Sequence, residues 1–182
     1  MPDPKDVPAV QRGVTVAMVN GQEFPVTTER RDNEIRLTVG PVRAVMGSYG
    51  VNGQVAALSG DGAVVIEPGR KIVVNLEGLT PTSEVKGVLY PNSVLLGRGT
   101  ADANGRIRGE FSIPDVEAGG YRLVVSLVDD TNREMTLTYG VVSLGEGGGV
   151  GLTTVVFIAL GLGTGAALFL AEALKRRLRA PV

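Results

Sequence analysis

The 182-residue chain contains no cysteine and no histidine, and aromatic residues make up 4% of it. Without cysteine there is no disulfide, no thiolate nucleophile and no cysteine metal site. This leaves the compartment open, since exported proteins also fold without disulfides. Without histidine, the commonest general base and the commonest transition-metal ligand are missing too. Carboxylates, lysine and hydroxyls remain, so the chain reads as non-enzymatic, with no cofactor, no metal and no catalytic residue to assign. The scarcity of aromatics also argues against a surface built mainly to stack ligands.

Glycine and proline are abundant instead, with 26 and 10 residues. Valine is frequent and alternates with polar residues, and residues before 150 hold few long runs of helix formers. That is the composition of an all-β domain with many turns. The net charge of −1 hides an asymmetry. Setting aside Glu172 and the four basic residues Lys175, Arg176, Arg177 and Arg179 leaves 14 basic and 18 acidic residues, a net of −4. A mildly acidic domain without basic stripes argues against a nucleic-acid partner.

From Gly147 to Ala171 there is no charged residue. A bilayer core of ~30 Å needs ~20 apolar residues in a helix, so residues 150–174 suffice for a transmembrane helix. The basic tail, 175–182, has the character of a cytoplasmic flank, which makes Lys175, Arg176, Arg177 and Arg179 the topology-determining residues. Within the helix, Gly161, Gly165 and Ala166 put small residues on one face, where helices can approach closely in lipid. Residues 143–149, rich in glycine, read as a flexible linker. No Leu-Pro-x-Thr-Gly-like cell-wall sorting signal precedes the apolar run, so the run is read as a retained anchor.

The N-terminal part reads as strands. Residues 1–13, with prolines at 2, 4 and 8, are an extended linker with no hydrophobic stretch of the kind a signal peptide needs. Val14, Val16 and Met18 share one face of a run that stops at the turn pair Asn20-Gly21. Ile35 to Val39 alternates again after a polar turn at Arg30 to Asn33. Gln54 to Leu58 and Ala63 to Ile66 are expected to form a hairpin through Gly60-Asp61-Gly62. Ile72, Val74 and Leu76 face one way. Val85 to Tyr90 follows, and Asn104-Gly105 joins the run near Leu95 to Thr100 to Ile107–Ile113 in what reads as a hairpin turn. Alternating runs from Tyr121 and from Met135 complete about nine strands. One-side-dry strands at this spacing predict an immunoglobulin-like antiparallel β-sandwich over residues 14–142.

A resemblance refines that picture. Pro68-Gly69 with Gly78, Pro81, Ser83 and Val85 is similar to the opening of Ig-like modules in surface proteins of high-GC Gram-positive bacteria. The stretch from Tyr90 to Gly97 and the turn Thr100-Ala-Asp-Ala-Asn-Gly105 resemble two further signatures of those modules, as does Ile113-Pro114 with Gly120-Tyr-Arg-Leu123. The likeness covers residues 53–142. It departs at Leu79, where the family usually has Phe, and at Tyr121, where it often has His. It implies an exported surface module; the family shares fold and location more than one activity.

Other constellations are weaker. Asp102-Ala-Asn104-Gly105 lacks the downstream ligands of a calcium loop and reads as a turn, as does Asp129-Asp130-Thr131-Asn132. Ser83 and Lys86 have the Ser-x-x-Lys spacing of some acyl-transfer enzymes, but that spacing works on a helix and Lys86 falls in a strand. Tyr121 and Tyr139 are in register with core positions, which leaves Tyr49 and Tyr90 as exposed-contact candidates. The chain is therefore expected to be a single-pass membrane protein presenting an Ig-like sandwich outside, with a short cytoplasmic tail. Expected partners are the bilayer and a protein bound through sandwich or helix, or a second copy in a homo-oligomer. A ligand- or glycan-binding surface module is the alternative. Export of such a domain calls for a signal sequence, so a processed or truncated start is expected. A cytoplasmic sandwich on a tail anchor would send the basic tail outward, against the positive-inside tendency.

Overall fold

The computed structural model describes residues 7–50 and 52–145. They form an all-β, essentially antiparallel sandwich of two sheets. Twelve strands occur among them, against about nine expected. In chain order these are β1 (Thr15–Val19), β2 (Gln22–Phe24), β3 (Thr27–Arg31), β4 (Glu34–Val39), β5 (Val42–Tyr49) and β6 (Val65–Ile66). Then come β7 (Lys71–Glu77), β8 (Glu84–Tyr90), β9 (Val94–Thr100), β10 (Ile107–Ser112), β11 (Gly119–Val128) and β12 (Glu134–Ser143). The first sheet runs β2-β1-β12-β11-β8-β9, with β6 pairing β12 in parallel; the second runs β10-β7-β5-β4-β3.

Three observed strands, β2, β3 and β5, have no counterpart in the sequence pattern read above, although β5 does alternate, with Val42, Ala44 and Met46 in the core. β3 reads Thr-Thr-Glu-Arg-Arg and is almost wholly exposed, because it is an edge that needs only the backbone ladder of β4. Asp32 and Asn33 both take positive φ, 55° and 63°, as a two-residue turn matched to strand twist requires. Asn20-Gly21 does the same between β1 and β2. Residues 14–49 thus extend both sheets, with β1 laid along β12 and β5 along β7.

The core lies between the sheets. Ile35, Leu37, Met46, Ile72 and Leu76 of the second sheet pack with Leu89, Leu123, Met135, Leu137 and Tyr139 of the first. Each fully buried side chain of this size contributes about 2 kcal/mol by leaving water. In β1 it is Thr15, Ala17 and Val19 that face this core, opposite Tyr139, Leu137 and Met135. The face carrying Val14, Val16 and Met18 is the outer one. Both faces of β1 are largely apolar, so alternation alone does not choose between them.

The outer face of the first sheet is also dry in part, contrary to the one-wet-face pattern. Val88, Tyr90 and Val124 form a second buried cluster there, covered by Val7. Residues 7–13 run across this face as a strap. Arg122 Nη1 donates to Val7 O at 2.9 Å, and Gly13 N–H donates to Gly140 O at 2.9 Å. The apolar run Val88-Leu89-Tyr90 records this double burial.

Two expected hairpins are corrected. Residues 54–58 make no strand with 63–66: only an isolated bridge joins Val55 to Tyr49, and β6 pairs with β12 instead. The Gly60-Asp61-Gly62 loop is clamped from outside. Arg30 donates to Gly62 O and Gly13 O, and the Tyr139 hydroxyl donates to Gly62 O at 3.0 Å. Burial pushes the Tyr139 hydroxyl up to about 12, so it stays a donor at all ordinary pH. Tyr139→Phe is expected to cost about 1 kcal/mol, the net worth of one buried hydrogen bond, read as a shift in urea midpoint with unchanged slope. The second correction concerns Asn104-Gly105. It does not close a hairpin, because β9 belongs to one sheet and β10 to the other. The turn docks on the 79–83 loop through Leu79 N–H to Gly105 O and Thr82 N–H to Ala101 O.

Candidate functional site

Among the described residues, no three His, Cys, Asp or Glu side chains converge as a metal site. The acidic turns use their carboxylates internally. Asp102 Oδ1 accepts the N–H groups of Asn104 at 2.8 Å and Arg106 at 2.9 Å, and these bonds hold its pKa below the ordinary value. Asp129 Oδ1 likewise accepts from Thr131 and Arg133. The Ser83 hydroxyl donates to Thr80 O at 2.7 Å within its own loop, while Lys86 sits in β8 on the outer face of the first sheet. Sequence proximity therefore does not make a Ser–Lys pair.

The two tyrosines expected at the surface part company. Tyr90 is 0% exposed, a correction to its expected role as a contact residue. Alternation does point it outward from its sheet, but the strap and Val124 cover it, and the Arg122 guanidinium lies 5.8 Å from its ring centroid. Tyr49 is half-buried at the end of β5. It lies across Gly47 on the outer face of the second sheet, so that a Cβ at Gly47 would sit 3.3 Å from Tyr49 Cε2. Its hydroxyl donates to Glu34 Oε1 at 2.6 Å, which fixes the ring over β4 and β5. That bond, with burial, raises the Tyr49 pKa.

Tyr49 borders a cavity of about 280 Å³. Val73 forms its floor, an outward-pointing residue that is only 5% exposed. Opposite Tyr49 stand Lys71, Arg108 and Glu110, held together: Glu110 Oε2 lies 3.4 Å from Lys71 Nζ, and Glu110 Oε1 lies 3.1 Å from Arg108 Nη2. Arg108, and after it Lys71, keeps the Glu110 carboxyl below its ordinary pKa. The strand register sets this cluster, since Glu110 is opposite Val73 and Val73 is opposite Gly47. Gly53 and Gly69 at the rim both take positive φ, and nothing lies within 4 Å of where a Cβ would be. A second concavity of about 600 Å³ continues from Gly50 and Gly69 past Asn52, Gln54 and Arg70. Sequence reasoning singled out Tyr49 alone. Lys71, Arg108 and Glu110 are separated by up to 39 positions, and only the β7–β10 pairing joins them.

A different cavity, about 220 Å³, opens between the edge strands β9 and β10. Glycines make it. A Cβ at Gly97 would lie 2.7 Å from the Phe111 ring and one at Gly109 2.8 Å from it, so both bare positions admit that ring between the sheets. Leu95, 41% exposed, lies on the same edge strand β9.

The expected helix-packing residues Gly161, Gly165 and Ala166 lie outside the described residues, as do Lys175, Arg176, Arg177 and Arg179. Among the described residues there is no helix long and apolar enough to cross a membrane. No family model and no curated protein matches the chain. Among solved structures it is similar to the crystal structure of the PmoD soluble domain from Methylocystis sp., at 9% identity, with 58% of this chain and 94% of that chain covered and a TM-score of 0.39.

Proposed function

We propose that the chain is a non-enzymatic, single-pass membrane protein that holds an Ig-like sandwich outside the cell membrane for contact with another protein or an envelope component. The observation that carries the reading is the order of parts. The sandwich ends with β12 at Ser143, a glycine-rich stretch follows to residue 149, then 22 uncharged positions (150–171) and a basic tail. Connectivity supports the Ig-like description: β6 pairs in parallel with the last strand, β12-β11-β8-β9 are neighbours in one sheet, and β7 pairs β10 in the other. This is also the stretch that resembles surface modules of high-GC Gram-positive bacteria. A protein partner would be met through the sandwich, or through the small-residue face of Gly161, Gly165 and Ala166 in the helix, where a second copy would also fit.

Protease shaving of intact cells carrying a tag at each end tests the topology. The sandwich is expected to be cleaved from outside while the C-terminal tag survives. Survival of the sandwich until lysis would move it to the cytoplasm and overturn the reading. A second reading, ligand binding by the sandwich, is favoured by the Tyr49 cavity.

A further inference from the structure

The Tyr49 groove lies on the outer face of the second sheet, over β5 and β7, whose backbone hydrogen bonds are spent on neighbouring strands. The free edge of β10 points sideways out of the sheet, not into the groove. A peptide strand would find no free ladder there. A phosphate or other polyanion would meet the Glu110 carboxylate between Lys71 and Arg108, two cations already paired with it. An apolar ligand would find Val73 and the Tyr49 ring, but would also strip water from Lys71, Arg108 and Glu110 without pairing them. What the groove does offer is an aromatic ring held in orientation by Glu34, with charged donors and an acceptor clustered beside it.

We propose that this groove binds a neutral oligosaccharide. One pyranose ring lies with its C–H face on Tyr49 and Val73. Its hydroxyls donate to Glu110 and accept from Lys71 and Arg108, which their surface ion pairs gather on one side of the ring. The bare rim at Gly53 and Gly69 lets the chain of sugars leave the first cavity. The Asn52 and Gln54 amides, tied to each other at 3.1 Å, line its continuation. This deepens the ligand-binding reading above and is independent of which way the chain crosses the membrane.

The test uses the full chain in lipid nanodiscs, where both sides of the bilayer are open to solvent. Saturation-transfer NMR titrations with chitotetraose, cellotetraose and maltotetraose are run beside tetragalacturonate as the acidic comparison. At least one neutral tetrasaccharide is expected to bind saturably with a Kd near about 1 mM, a weak single-site affinity. Tyr49→Ala is expected to weaken it about tenfold, and Glu110→Gln about threefold. Tyr49→Phe keeps the ring and is expected to stay within about threefold of the parent, which separates stacking from damage to the fold. Leu95→Ser, on the other sheet, is expected to leave binding unchanged. No saturable binding of any neutral tetrasaccharide, equal binding by Tyr49→Ala, or binding of tetragalacturonate alone would each overturn the proposal. Because nanodiscs have no sidedness, a failed shaving experiment leaves these titrations intact.

Discussion

Asp129→Ala is expected to remove about 3 kcal/mol of stability and lower the melting temperature by about 10 °C, measured by thermal and urea unfolding. Asp129 is 0% exposed. Its Oδ1 accepts the Thr131 N–H at 3.0 Å, the Thr131 hydroxyl at 2.7 Å and the Arg133 N–H at 2.9 Å. Its Oδ2 takes the Arg133 fork, Nε at 2.9 Å and Nη2 at 2.7 Å. The same residue holds the β11–β12 turn to the neighbouring loop, since its carbonyl accepts the Thr80 hydroxyl. Alanine leaves the Thr131 and Arg133 N–H groups without their acceptor and half-buries an unpaired guanidinium. Asp129→Asn retains a turn acceptor but loses the ion pair, and is expected to cost about half as much.

The pH dependence follows from the same bonds. Burial pushes the Asp129 carboxyl up, but the hydrogen bonds from Arg133 and Thr131 outweigh it, and the net shift is downward. A carboxylate depressed in the folded state contributes its stability above the unfolded pKa of about 3.9 and loses it as pH falls through the folded value. The acid limb of the stability curve, below about pH 4, is therefore expected to be shallower in Asp129→Asn than in the parent. Equal limbs in the two proteins would remove Asp129 from the acid response.

Gly140→Ala is expected to release the strap. A Cβ at Gly140 would meet the Gln11 carbonyl in severe overlap, with Gln11 C at 2.8 Å and Arg12 Cα at 3.0 Å. All are backbone atoms, so no rotamer change relieves the contact, and either β12 or the strap must move. β12 is held by β11 on one side and β1 on the other, whereas the strap has only Val7 and a few hydrogen bonds. The strap is the part that yields. Its departure uncovers Tyr90, Val88 and Val124 and frees Arg122 from Val7 O. The expected cost is about 2 kcal/mol, with trypsin cleavage after Arg12 accelerated at least about tenfold. Unchanged cleavage would mean that β12 gives way instead.

Much of the sandwich was legible because its inner strands alternate. Ile35, Leu37 and Val39, or Ile72, Val74 and Leu76, mark one dry face whatever they pair with. Asn20-Gly21 was legible for a local reason as well, since few residue pairs accept two positive φ values. β3 was not, because an edge strand of threonine, glutamate and arginine carries no hydrophobic signal. Tyr90 was misread because the sequence shows that a side chain points away from the core but not what lies over it. Of the groove, only Tyr49 could be picked out, as one of two tyrosines, with Tyr90, outside the alternating core pattern.

The sequence by itself determined an all-β domain and the absence of histidine and cysteine chemistry. It also determined an uncharged run of membrane-spanning length before a basic tail. These are properties of composition and short-range order. The tertiary structure decided which sheet each strand joins, and with it the parallel docking of β6, the crossing from β9 to β10 and the strap over Tyr90. It also decided the Lys71–Glu110–Arg108 cluster facing Tyr49. Those depend on contacts between residues far apart in the chain, which alternation leaves open: a strand's period fixes its two faces, while the register and the neighbours that cover each face are set only when the whole chain packs.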